Sequence, residues 1–226
     1  MQQYILNDVT KEFSKEDCHH ILNVLRMNDG DNVSVCFEDK CYLVKLVIND
    51  NLVSYEIINE IVKTNESNIT LIQGNLKGSK IETTIKYATI FGARNIMITN
   101  FIRSIALIKN EDHKLKRYTT IAKEAAELSK REYVPTISFE SSLLKLDFKQ
   151  FDLVILADEE EVEDNIKGLD FKSFKNIAII IGPEGGIDNK EREYLKSIKV
   201  TSTTLGNYIY PAEISALPLL TILNYK

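Results

Sequence analysis

Gly182, Gly185 and Gly186, set around Pro183 and Glu184, are the residues of this chain whose spacing speaks most directly of a ligand. Glycine adopts backbone angles that other residues resist and lets a ligand approach the main chain closely. Pro183 stiffens the turn. The preceding run, Ile177-Ala178-Ile179-Ile180-Ile181, is continuously apolar, as in a strand covered on both faces. Asp188-Asn189-Lys190-Glu191 follows with the spacing of a capping box, so a helix is expected to start there. A glycine turn between a buried strand and a helix start presents free backbone N–H groups to a ligand; the same composition also serves an ordinary tight turn. The glycine spacing differs from the dinucleotide fingerprint, and the Gly-Lys-Ser/Thr ending of a P-loop is absent.

The elements that must position this loop are readable from residue 69 onward. Strand-like runs at 69–73, 95–98, 153–157 and 176–181 alternate with helix-like runs at 79–91, 113–131, 159–167, 189–198 and 211–224. Such alternation predicts an α/β domain with a mainly parallel sheet. Open α/β sheets bind ligands beyond the carboxyl ends of their strands. Three such ends stand out: Leu156-Ala157-Asp158-Glu159-Glu160, the glycine loop, and Leu205-Gly206-Asn207-Tyr208-Ile209-Tyr210-Pro211. Residues 1 to about 65 have another character. Val33–Phe37 and Tyr42–Ile48 are rich in β-branched and aromatic residues, and Ser14 can cap a helix running to Arg26. One helix among short strands suggests a small β-barrel module. The polar run Lys63–Asn68 is the expected linker, giving domains at 1–66 and 67–226.

Composition narrows the function. The chain has 226 residues, 44% hydrophobic and 27% charged, enough to bury a core. No apolar run approaches the roughly 20 residues that span a bilayer. The N-terminus lacks the basic-then-apolar order of a signal peptide, so a cytoplasmic protein is expected. Cys18, Cys36 and Cys41 show no metal-ligand spacing, and an odd count does not suggest a disulfide framework; reduced thiols are the expectation. His19, His20 and His113 add no metal pattern. The net charge is −5, but it is unevenly spread: residues 1–66 carry −6 and residues 76–131 carry +7. A basic stretch in an acidic protein is a plausible phosphate-facing surface, and equally a pair of solvated helices.

Ile181–Gly186 resembles the signature of the SPOUT-type uridine methyltransferases of the RsmE family. Other segments resemble that family in the same order: His20–Arg26 with Asp29-Gly30-Asp31, then Lys77, Glu82 and Gly92, then Arg103-Ser104. Ile121–Arg131 with Val134-Pro135, and finally Leu205-Gly206, Ile209, Glu213 and Ala216, complete the set. The resemblance covers nearly the whole chain. Departures fall at Tyr208 and Pro211, where the family usually has arginine, and at Ile214, Leu128, Ile90 and Tyr87.

The resemblance implies a SPOUT-type domain with a deep C-terminal trefoil knot and a PUA-like N-terminal barrel. It implies transfer of a methyl group from S-adenosylmethionine to N3 of a uridine in bacterial 16S ribosomal RNA, by a homodimer. The cofactor would be held by Leu156, Ala157 and Asp158, by Ile181, Gly182, Pro183, Glu184, Gly185 and Gly186, and by Leu205, Gly206, Ile209 and Tyr210. Methylating N3 requires loss of a weakly acidic proton, so the site needs a base, an anion stabiliser, or both. Glu184 and Glu213 are the candidate carboxylates, and Arg103 and Arg131 the candidate binders of anion or phosphate. The alternatives are a SPOUT-fold RNA-binding protein with lost or altered catalysis, and a methyltransferase acting on a different RNA nucleotide.

Overall fold

β-branched and aromatic residues in the first sixty positions pair into a four-stranded sheet in the computed structural model, which describes residues 1–50, 52–62, 68–108, 110–163 and 165–224. Its strands are β1 (Gln3–Ile5), β2 (Asn32–Phe37), β3 (Lys40–Asn49) and β4 (Leu52–Ile61), in that spatial order. β1 runs parallel to β2, and the remaining pairs are antiparallel. Val33, Val35, Val44 and Leu46 are fully buried on one face. Between β1 and β2, Ser14 caps α1 (Lys15–His19) through a capping box with Asp17. The helix expected to reach Arg26 instead widens into a π-helical turn at His20–Val24, and Arg26 takes φ +51°. At the start of that turn His20 Nδ1 meets the Tyr4 hydroxyl at 3.1 Å, which gives His20 a structural role.

The chain divides into two compact units, 1–65 with 123–134, and 66–122 with 135–226. In the first unit Lys123 Nζ lies 2.9 Å from Asp17 Oδ1 and 3.0 Å from Glu127 Oε1, and Ile5 N donates to Glu127 Oε1. Burial pushes the Glu127 carboxyl up, against the opposing pull of the Ile5 N–H and Lys123. Reduced thiols were expected, but Cys36 and Cys41 form a disulfide. The odd count concealed the pair: Cys18 is the leftover thiol, and the Glu38-Asp39 turn sets Cys36 opposite Cys41 across β2 and β3. The expected linker at 63–68 lies outside the described residues apart from Asn68.

The second unit carries β5 (Asn68–Gly74), α2 (Lys80–Ile90), β6 (Asn95–Thr99), α3 (Glu111–Leu128, the last part of which lies in the first unit) and β7 (Thr136–Glu140). There follow β8 (Leu153–Ala157), β9 (Asn176–Ile181), α4 (Asn189–Ser197), β10 (Thr201–Thr203) and α5 (Ala216–Asn224). The six strands form one wholly parallel sheet in the order β10-β8-β9-β5-β6-β7. Ile177 to Ile181 are all buried, as a central strand covered on both faces requires. Ile72, Leu156, Ala178 and Ile180 pack with Phe101, Leu143, Ile187 and Leu195. α5 packs on β9 and α2, where Asn224 Nδ2 reaches Phe91 O at 3.0 Å. No helix among the described residues is long and apolar enough to cross a membrane.

Two helix expectations need correction. Residues 159–160 and 165–167 form turns, and 161–163 are irregular. Side chains here take the backbone N–H groups a helix would need: Glu161 Oε1 accepts from Val162 N and Glu163 N, and Asp158 Oδ1 from Glu160 N. The final helix starts at Ala216 rather than 211, because Ser215 Oγ bonds Tyr210 O and Pro211 O and holds 211–215 in turns. Pro218 then falls in the first helical turn, where its missing N–H costs little.

Candidate active site

The carboxyl ends of β8 and β9 and the segment after β10 lie side by side because β10, β8 and β9 are consecutive parallel strands of the sheet. Their loops enclose a pocket of about 390 Å³. The first wall comes from the glycine loop. Gly186 N donates to Pro183 O at 3.0 Å, closing a tight turn, and Gly186 takes φ +72°, a left-handed conformation that favours glycine. A β-carbon at Gly186 would stand 2.6 Å from Glu159 Oε1, and one at Gly182 would stand 2.9 Å from Ile187 Cγ1. The end of β5 presses on the same loop: a β-carbon at Gly74 would lie 2.5 Å from Pro183 N. Gln73 Nε2 donates to Gly74 O at 3.2 Å and reaches Gly182 O at 3.4 Å.

Behind the loop the expected capping box is present, with Asp188 as N-cap of α4 and Glu191 reaching back to Asp188 N. Glu191 is buried and also accepts from Ile102 N at 2.9 Å, which ties the segment after β6 to the glycine loop. Burial pushes its carboxyl up, against the two N–H groups it accepts.

A second wall begins at Asp158. Arg192 of α4 grips it as a fork, Nε to Oδ2 at 2.7 Å and Nη2 to Oδ1 at 2.9 Å, while Nη1 donates to Ile187 O at 2.8 Å. Burial pushes the Asp158 carboxyl up, but the Arg192 hydrogen bonds, the Glu160 N–H and the Arg192 charge outweigh it and hold it below the usual carboxylate range. Asp158 is therefore ionised at neutral pH. The third wall, 204–211, is anchored by Thr204 N to Glu163 O at 3.0 Å. Tyr208 and Ile209 at its tip are 80% and 89% exposed, so they are available to a large partner at the pocket rim.

Of the expected cofactor-binding residues, Ala157, Asp158, Ile181, Gly182, Pro183, Glu184, Gly186, Leu205, Gly206, Ile209 and Tyr210 line this pocket. Leu156 is buried in the core beneath it. Gly185 faces elsewhere: a β-carbon there would stand 2.7 Å from Arg103 O. Glu184 lines the pocket and accepts from Lys77 N at 3.1 Å. Glu213 is joined to it through Lys80, whose ammonium lies 3.7 Å from Glu184 Oε1 and 3.5 Å from Glu213 Oε2. Arg103 sits outside the lining, 3.4 Å from Asp188 Oδ2. Arg131 belongs to the first unit, buried with its guanidinium over the Tyr133 ring and bonded to the Tyr133 hydroxyl. Two residues escaped sequence reasoning. Arg192 carries no spacing signal toward Asp158, 34 positions away. Lys80 opens the helix after β5, and the strand-end rule applied to that strand would have found it.

Comparison with known proteins bears on this geometry. A family model described as an RNA methyltransferase domain matches residues 63–224, and one described as an RNA methyltransferase PUA domain matches residues 13–58. The ribosomal RNA small subunit methyltransferase E of Bacillus subtilis is 31% identical, covering 100% of this chain and 93% of the relative. The protein of that description from Mesomycoplasma hyopneumoniae is 30% identical over 98% of each chain. A crystal structure of a ribosomal RNA small subunit methyltransferase E from Neisseria gonorrhoeae bound to S-adenosyl methionine superposes with TM-score 0.81 at 22% identity, covering 99% of this chain and 96% of that one. This chain belongs to the ribosomal RNA small subunit methyltransferase E family of RNA methyltransferases.

Proposed function

We propose that the chain transfers a methyl group from S-adenosylmethionine to N3 of a uridine in bacterial 16S ribosomal RNA. The observation that carries this reading is the pocket enclosed by the glycine loop and its two partner loops. The residues present fit such a cofactor. The volume of about 390 Å³ falls within the roughly 300–1,000 Å³ typical of small-molecule sites. Ala157, Ile181, Ile187 and Leu205 offer apolar surface for an adenine ring. Gly182 and Gly186 bring bare backbone to the cavity, with Leu205 and Ile209 across from them. When bound, S-adenosylmethionine supplies the methyl group as a cation equivalent, its sulfur keeping the electron pair of the broken bond.

The remaining work falls to this chain's own groups. The Asp158–Arg192 fork fixes the loop after β8 against α4. Glu184 and Glu213 are the carboxylates available to a proton leaving N3. Arg103, from the segment that abuts Gly185, serves RNA phosphate, while Arg131, buried against Tyr133, holds the structure of the first unit. Residues 1–66 act as a PUA-like RNA-binding domain of narrow contact, given their excess of acid, and 67–226 as the knotted methyltransferase domain. The enzyme works as a cytoplasmic homodimer on the small ribosomal subunit. A second reading, an RNA-binding protein of this fold without catalysis, draws on Tyr208 and Pro211, which line the pocket where the family usually has arginine. Deleting the gene and analysing the 16S rRNA by mass spectrometry separates the two. Loss of 3-methyluridine, restored by the wild-type gene, supports the first; its persistence in the deletion strain refutes it.

A further inference from the structure

Lys80 is the one cation among the described residues that line the pocket. It is the first residue of α2, and its side chain is 45% exposed. A cation at a helix N-terminus works against the helix dipole, so the stability of α2 does not explain its placement. Its two carboxylate neighbours, at 3.7 and 3.5 Å, lie beyond the usual 2.7–3.2 Å hydrogen-bond range, so the ammonium retains donors for another partner. Glu213 Oε2 is buried with no hydrogen-bond partner, and this ammonium is the cation it faces. The other charged or titratable groups along the lining are Asp158, already gripped by Arg192, and Glu159, Tyr208 and Tyr210.

We infer that Lys80 stabilises the target pyrimidine as its N3 proton leaves, a role that rests on the uridine-N3 reading above. The N3–H bond breaks, the electron pair stays on the ring and spreads over N3 and the two carbonyl oxygens, and the proton passes to Glu184. Charge is conserved around the ammonium. Before the transfer Lys80 faces two carboxylates, Glu184 and Glu213. Afterwards Glu184 is neutral, and the pyrimidine anion takes its place as the second partner. The ring's N3 pair is then held in its nucleophilic form at the pocket. The alignment is electrostatic: Glu184 is held by Lys77 N, and the two carboxylates draw the Lys80 ammonium toward the pocket without using up its donors.

The test uses the full chain with Lys80→Met and Lys80→Arg. Three quantities are measured: S-adenosylmethionine affinity by calorimetry, single-turnover formation of 3-methyluridine on small subunits from the deletion strain, and the pH dependence of that rate. Lys80→Met is expected to keep cofactor affinity within a few-fold and to slow transfer about 10²-fold, as for loss of one oxyanion donor. Its pH–rate midpoint should move upward, because the cation that faces the pyrimidine anion is gone. Lys80→Arg should restore part of the rate. A Lys80→Met variant with the wild-type rate and midpoint overturns the inference. So does a rate loss matched by an equal loss of cofactor affinity, which would assign Lys80 to the cofactor. If the wild-type chain itself makes no 3-methyluridine, the underlying reading fails instead and takes this role with it.

Discussion

Replacing Arg192 with methionine should be among the most damaging single changes near the pocket, and its cost should depend on pH in a defined direction. The substitution keeps the aliphatic stem and removes the fork on Asp158 at 2.7 and 2.9 Å, together with the bond to Ile187 O. The Asp158 side chain is only 7% exposed and that of Arg192 only 16%, so a buried carboxylate is left without its counter-charge. Removing one partner of a buried pair costs about 3–5 kcal/mol, and the partial exposure of Arg192 places this case near 3 kcal/mol. For a domain of this size that lowers the melting temperature by about 6–12 °C. Asp158 lies below the usual carboxylate range when folded, so its contribution is present above its unfolded value near 4 and is lost as pH falls through the lower folded value. In Arg192→Met the carboxyl is buried without its partner and should protonate on acidification. The stability gap between wild type and variant should therefore be widest near pH 7 and narrow toward pH 4. Urea denaturation followed by circular dichroism at several pH values measures it. A gap under about 1 kcal/mol at pH 7, or one unchanged at pH 4, would refute the reasoning.

Gly74→Ala should destabilise the second unit by about 2 kcal/mol or more, since its β-carbon would meet the Pro183 backbone at 2.5 Å; thermal denaturation checks it. Gly186→Ala should cost about 1–2 kcal/mol for its φ of +72° and weaken S-adenosylmethionine binding in calorimetry, because the new methyl also displaces Glu159. Glu191→Ala should leave the N–H groups of Ile102 and Asp188 without their acceptor and cost about 1–3 kcal/mol, with faster hydrogen exchange at Ile102. Tyr208→Ala should hold stability within about 0.5 kcal/mol, because that side chain is 80% exposed, and any effect should appear in RNA affinity.

The parallel sheet was legible because β5, β8 and β9 are short apolar runs bounded by turn residues, and burial on both faces demands that composition. The helix start at Asp188 was legible because a capping box is a local code. β1 and β10 escaped because 3 residues each are too few to set a period, and β7 because its residues Thr136–Glu140 are not a continuous apolar run. The run at 159–167 was misread because acidic side chains, helix-compatible by propensity, here compete for the backbone. The Cys36–Cys41 pair depends on strand register, which a cysteine count does not report. In the site, glycine and loop residues could be named because strand ends place them. Arg192 could not, because it acts through Asp158, 34 positions away, and Lys80 was missed because the strand-end rule was not applied to β5.

The most direct measurement is methyl transfer in a defined reaction. The purified chain is mixed with isotopically labelled S-adenosylmethionine and small ribosomal subunits from the deletion strain, and the digested 16S rRNA is resolved by mass spectrometry. The uridine-N3 reading predicts label in 3-methyluridine, approaching one per subunit. Label in another nucleoside, or none with a chain that binds the cofactor, would contradict it.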